Sequence, residues 1–154
     1  MTEERSLLTP ELRALIGTAV GEKRFTVEPL VAARLAEALG LDPETAAEAD
    51  SAPAYYCPAF ETSQASIRLP GGPDSGVLAG DEWEQRRPLR WGERITGRGV
   101  IAGIDERFGK NGQMLHVRHE WTFRDEAGEI VGISRRIYVR YGSAGGADAD
   151  EEAP

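Results

Sequence analysis

From residue 113 onward the chain alternates. Leu115, Val117, His119, Trp121 and Phe123 fall on one face of a strand, and Met114, His116, Arg118, Glu120 and Thr122 on the other. Segments of the same kind run over Val77 to Arg86, Arg94 to Arg107 and Glu129 to Tyr141, each bounded by turns that carry Gly or Pro. In the last of them Val131, Ile133, Ile137, Val139 and Tyr141 share a face that Arg135 interrupts. The N-terminal third keeps a different period. Pro29 opens a helix in which Val31, Leu35, Ala38 and Leu39 recur at helical spacing, and Gly40 supplies a left-handed stop. Thr9-Pro10-Glu11 opens a shorter helix that ends by Gly17, and Glu22 to Val27 alternates enough for a strand. Asp42-Pro43-Glu44 caps a third helix. One principal helix followed by antiparallel strands predicts an α+β fold, with the helix packed on one face of a sheet.

Composition narrows the picture. The chain has 154 residues, enough for one domain with a real core, and one cysteine, which excludes an internal disulfide framework and fits a reducing cytoplasm. No apolar run is long enough to span a bilayer, and no basic-then-apolar leader follows Met1, so no membrane association is expected. Asp148, Asp150, Glu151 and Glu152 supply four of the net −8 charges, leaving a body near −4. That balance does not suit a nucleic-acid binder. Residues 142–154, beginning Gly142-Ser143-Ala144-Gly145-Gly146-Ala147, offer nothing to bury and are expected to form a disordered acidic tail. The domain is therefore expected to occupy residues 1–141.

The motifs carry a resemblance. Ala36 to Thr45 reads Ala-Glu-Ala-Leu-Gly-Leu-Asp-Pro-Glu-Thr. Gly80-Asp81-Glu82-Trp83-Glu84 precedes Arg87-Pro88-Leu89-Arg90-Trp91-Gly92-Glu93-Arg94, followed by Gly109-Lys110-Asn111-Gly112-Gln113 and by Asp125-Glu126-Ala127-Gly128-Glu129-Ile130-Val131. Tyr56-Cys57-Pro58-Ala59-Phe60 lies between the helical and strand regions. In order and spacing these passages, from about Leu8 to Tyr141, resemble the MaoC-like (R)-specific enoyl-thioester hydratases and dehydratases. They are closest to that family's N-terminal-type halves. The resemblance implies a hot-dog fold, an antiparallel sheet wrapped around a central helix. It also implies that two such units pack side by side with an acyl tunnel near their interface.

The family's active-site stretch reads A-x-A-x-G-D-x-N-P-x-H, and its Asp and His hold the reacting water. Here Leu41 follows Gly40, Asp42-Pro43 comes one residue early, and Thr45 stands where the histidine would be sought. General acid–base chemistry needs a titratable group within reach of the water, and neither Leu41 nor Thr45 supplies one. Asp42 reads as a helix cap rather than a base. No catalytic residue is assigned. His119, between Val117 and Trp121 on the apolar face, reads as a hydrogen-bonded structural histidine, and His116 as solvated. Two histidines and one cysteine make no metal-ligand cluster, and no cofactor is expected. Cys57 lacks a neighbouring base and reads as a small buried hydrophobe. Glu37 and Glu44 are the only acids near the central helix that a thioesterase could use, and Glu37 lies off the apolar stripe.

The resemblance thus implies a subunit of a heteromeric enoyl-CoA or enoyl-carrier-protein hydratase, partnered by a hot-dog chain that carries the dyad. Tyr56, Cys57, Pro58 and Phe60 would line the acyl channel. Arg86 and Arg87 would contact carrier phosphates, or they and Arg90 and Arg94 only balance Asp81, Glu82, Glu84 and Glu93. The alternative is a homodimer that binds acyl-CoA or another hydrophobic ligand without chemistry. A thioesterase ranks last.

Overall fold

A computed structural model describes residues 6–56, 69–110 and 112–144. Helix α1 spans Pro10–Ala14, α2 Pro29–Ala38 and α3 Pro43–Glu48, and strands β1 to β5 span Ala19–Thr26, Pro73–Gln85, Arg94–Gly109, Gly112–Arg124 and Ile130–Ala144. The five strands form one antiparallel sheet in the order β1-β3-β4-β5-β2. This is the α+β hot-dog architecture that the motifs imply. None of the described helices is long and apolar enough to cross a membrane.

The caps form where the sequence places them. Thr9 accepts a hydrogen bond from the Leu12 amide with Pro10 at the first helical position, and Gly40 (φ 71°) closes α2 in the left-handed conformation. The face of α2 that meets the sheet differs from the expected stripe. Ala32 and Ala36 are fully buried, Val31 and Leu35 are half-buried, and Ala38 and Leu39 are exposed. Two alanines at i and i+4 let the helix sit close to a sheet face already filled by aromatic rings, while the larger residues flank the contact. The rings need room of their own. A Cβ at Gly97 would lie 2.5 Å from the Phe123 ring, and one at Gly99 2.5 Å from the Trp121 ring, so glycine on β3 lets both aromatics lie across its backbone.

Two clusters fill the inner face of the sheet. One joins Ala32 and Ala36 of α2 to Ile95, Trp121, Phe123 and Val131. The other joins Leu12 of α1 and Leu69 to Ile101, Ile104, Leu115 and Val117. Strand β4 keeps the predicted alternation, with Leu115, Val117, His119, Trp121 and Phe123 inward.

Strand β5 does not present its apolar face inward. Its register against β4 shifts near Val131, so that Phe123, Trp121, His119, Val117 and Leu115 stand opposite Gly132, Ser134, Arg136, Tyr138 and Arg140. Directly opposed residues share a face. Ile133, Ile137, Val139 and Tyr141 therefore share the outer face with Arg135; Val131 joins the cluster under α2, and Ile133, although on the other face, is also buried. One extra residue before Gly132 is enough to invert the side-chain alternation of everything after it.

Candidate functional site

At the turn between α2 and α3, Asp42 is the N-cap of α3. Its carboxylate accepts from the amides of Glu44 (3.3 Å) and Thr45 (3.2 Å) and from the Thr45 hydroxyl. Those bonds, the hydroxyl's foremost, hold its carboxyl below the ordinary range and make it a weaker base. Leu41 is exposed, and its amide closes the helix end on the Ala36 carbonyl at 2.8 Å. Beside the turn is a hollow of about 350 Å³ walled by Leu41, Asp42, Thr45, Ala46, Ala49 and Tyr55. Of the polar side chains on that wall, Asp42 and Thr45 bond to each other, and Tyr55 is the third. Glu37 and Glu44 are exposed. The turn thus offers no pair of groups that could take and return a proton.

Tyr56 stands at the opposite end of α2. It is 1 % exposed, and its hydroxyl accepts the Glu28 amide at 2.8 Å. Its ring meets Trp91 edge-on at 6.2 Å, and Trp91 in turn donates its indole N–H to the Ala49 carbonyl at 2.6 Å. Burial pushes the phenol pKa up. The expected channel residue is therefore a core side chain that ties the segment after α3 to the start of α2. Cys57, Pro58 and Phe60 lie outside the described residues, as do residues 145–154 of the acidic tail.

The two arginines expected at carrier phosphates divide. Arg87 pairs with Glu93 and with Asp125 (2.7 Å) and donates to the Pro88 carbonyl. Glu93 also accepts the Arg90 amide at 2.9 Å. This partly buried triad clamps the turn between β2 and β3 to the turn between β4 and β5. It raises the Arg87 pKa and lowers those of Glu93 and Asp125, with the hydrogen bonds between them as the largest cause. An incoming phosphate would have to displace two carboxylates. Arg86 is exposed and pairs with Glu84 at 2.9 Å. On the outer face, a hollow of about 510 Å³ is bordered by Glu82, Arg118, Glu120 and Arg135. Arg135 pairs there with Glu82, Glu84 and Glu120, and Arg118 with Asp105, so the charges around the hollow are already matched.

The inner face holds His119, where the alternation of β4 places it, and two polar residues of β5 that sequence reasoning missed. His119 is 7 % exposed, and its ring packs on Tyr138 with centroids 4.8 Å apart. No hydrogen bond to the ring is formed among the described residues, contrary to the bonded histidine expected. Burial foremost, then the charges of Arg140 and Arg136, lowers its pKa to about 4, so the imidazole is neutral near pH 7. Ser134, opposite Trp121, is fully buried, and its hydroxyl has no hydrogen-bond partner among the described residues. Arg136, opposite His119, is bonded to Asp81 of β2 at 3.0 Å. The inward position of Ser134 and Arg136 follows from the register shift near Val131, which no motif announces. Among the described residues no group of three or more His, Cys, Asp or Glu could hold a metal ion.

The likenesses to known proteins agree with this geometry. The MaoC-like dehydratase from Rhodospirillum rubrum superposes with a TM-score of 0.58 at 18 % identity, over 82 % of this chain and 92 % of that one. The ChsH1-ChsH2 complex from Mycobacterium tuberculosis gives 0.61 at 14 % identity, over 88 % and 90 %. The C-terminally truncated HadBC (3R-hydroxyacyl-ACP dehydratase) complex from the same organism gives 0.54 at 18 % identity, over 76 % and 90 %. No curated protein matches the chain. Residues 16–133 match the family model described as the FAS1-like dehydratase domain region, and the chain belongs to that family.

Proposed function

We propose that this chain is a non-catalytic subunit of a heteromeric acyl-thioester hydratase or 3-hydroxyacyl dehydratase, working beside a hot-dog chain that carries the Asp and His. The observation that carries this reading is the α2–α3 turn. Its one carboxylate, Asp42, is committed to capping α3, and Leu41 and Thr45 supply neither acid nor base. Two of the solved structures of the same fold are, by their names, complexes of two chains. In the assembly the partner's helix N-terminus would polarise the thioester carbonyl and its His and Asp would handle the water. This chain would add acyl-binding surface, with Cys57, Pro58 and Phe60 near the channel and Tyr56 holding that segment to α2. Arg86, rather than the clamped Arg87, would meet the phosphates of coenzyme A or of a carrier protein.

The sheet edges support a partner at β2. Strand β1 is short, bulges near Gly21 and carries Glu22, Lys23 and Arg24, features that discourage further pairing. Strand β2 is thirteen residues long, and its run Ser75 to Gly80 carries no charge. Val77 and Leu78 there are 50 % and 44 % exposed. A second copy could use the same edge, which gives the rival reading of a homodimer that holds an acyl ligand without chemistry.

The test is hydration of an enoyl-CoA by the purified chain alone. No turnover above background is expected. A robust rate abolished by Asp42→Ala would overturn the non-catalytic assignment.

A further inference from the structure

Ser134 and His119 stand on the inner face between the two apolar clusters, on the β4–β5 side that leads to the β2 edge. Residues on neighbouring strands in such diagonal positions lie about 7–8 Å apart, somewhat less between Cβ atoms, close enough for one small group to bond both. A hydroxyl that is fully buried with no partner is rare in a native fold, because leaving it unbonded sacrifices its hydration for nothing. Alanine, smaller by that one oxygen, would leave no unbonded polar group at that place. The histidine stands diagonally across from it, 7 % exposed beside Tyr138 and with no bond to its ring among the described residues.

We propose that Ser134 and His119 form a polar station for a neutral oxygen-bearing group of the acyl thioester on the inner face, between the two apolar clusters. The inference rests on the reading above that this chain adds acyl-binding surface, and it places part of that surface on the inner face. The charges and chemistry of the site select the ligand. Both groups are neutral and each can donate and accept, which suits a hydroxyl, a keto oxygen or an amide. A carboxylate or phosphate would find no unmatched cation in the pair, since the adjacent Arg136 is already bonded to Asp81 by two of its nitrogens. Ser134 is fully buried with Trp83 of β2 and Trp121 of β4 directly opposite it, so one of these rings must give way when the ligand enters. Two sources offer the same chemistry: an oxygen substituent on the acyl chain, or an amide of the pantetheine arm.

The experiment titrates the full chain, together with its dyad-bearing partner where the two co-purify. The probes are decanoyl-CoA, decanoyl-CoA hydroxylated at successive carbons along the chain, and pantetheine alone. Wild type, Ser134→Ala and His119→Phe are compared, with a thermal melt of each. A hydroxylated chain is expected to bind about fivefold more tightly than decanoyl-CoA to the wild type, the worth of one ordinary hydrogen bond. Ser134→Ala should erase that preference and leave decanoyl-CoA binding unchanged. Pantetheine binding weakened about fivefold by Ser134→Ala would assign the site to the carrier arm instead. Equal binding of every decanoyl-CoA, with pantetheine insensitive to Ser134→Ala, would overturn the station while leaving the acyl-binding reading intact. Failure to bind any acyl-CoA would sink both. The melt is independent of ligand: Ser134→Ala should hold or raise the midpoint. A fall of several degrees would show that the hydroxyl is satisfied within the protein, and would refute the proposal.

Discussion

Lowering the pH should unload stability through His119 before most carboxylates respond. The ordinary imidazole pKa is 6.5, and in the fold it is about 4, so below pH 6.5 the unfolded chain takes up a proton that the folded chain refuses. The stability is fully present above pH 6.5, falls as pH drops from 6.5 toward 4, and levels off below. At about 1.4 kcal/mol per pH unit, the ceiling on the loss is about 3 kcal/mol. Glu93, Asp125, Asp42 and Glu22 also have lowered pKa values and lose stability in acid, so the raw curve mixes sources. His119→Phe isolates the term: it keeps a ring against Tyr138 and removes the titration. Denaturant unfolding of both proteins at steps from pH 7.5 to 4.5 gives the difference in stability at each pH. The stability of the wild type relative to His119→Phe should fall by about 2–3 kcal/mol over that range, whichever protein is the more stable at pH 7.5. Parallel curves, or an imidazole that titrates near 6.5 by NMR in the folded protein, would refute the account of His119.

Three further outcomes follow from the packing. Gly99→Ala would place a Cβ 2.4 Å from Val20 and 2.5 Å from Trp121, and should destabilise by about 1–3 kcal/mol, read as a lower denaturation midpoint at unchanged slope. Tyr56→Phe removes the acceptor of the Glu28 amide and should cost about 1 kcal/mol, whereas a solvent-facing channel tyrosine would cost almost nothing. Arg87→Ala should destabilise by more than Arg86→Ala, because it leaves Glu93 and Asp125 facing each other in partly buried positions; equal melting temperatures for the two variants would contradict the clamp.

Much of the fold was legible because its signals are local. The alternation of β4, the Thr9 and Asp42 caps and the Gly40 stop each depend on a few adjacent residues, and each forms as expected. The order of the motifs identified the family although no single one is diagnostic. What the sequence hid is set by register and by contacts across the chain. Alternation marks a face shared by Ile133, Ile137, Val139 and Tyr141 but not the side of the sheet it takes, and the shift near Val131 turns it outward and brings Ser134 and Arg136 in. On α2, periodicity marks a stripe but not which edge of it touches the sheet, and the rings over Gly97 and Gly99 select the alanines. Arg87 looked like a phosphate ligand because its carboxylate partner Asp125 is 38 residues away in sequence. Glu93, six residues on across the Gly92 turn, was the nearer hint.

The central claim is that this chain needs a dyad-bearing partner, and co-expression tests it most directly. The chain is produced with a hot-dog subunit from the same genome that retains G-D-x-N-P-x-H, and the two are examined by native mass measurement and an enoyl-CoA hydration assay. A one-to-one assembly is expected, with activity that the present chain lacks alone and that falls when Val77→Lys places a charge on the β2 edge. A monodisperse monomer at micromolar concentration that ignores the partner, while the partner is stable and fully active without it, would contradict the account.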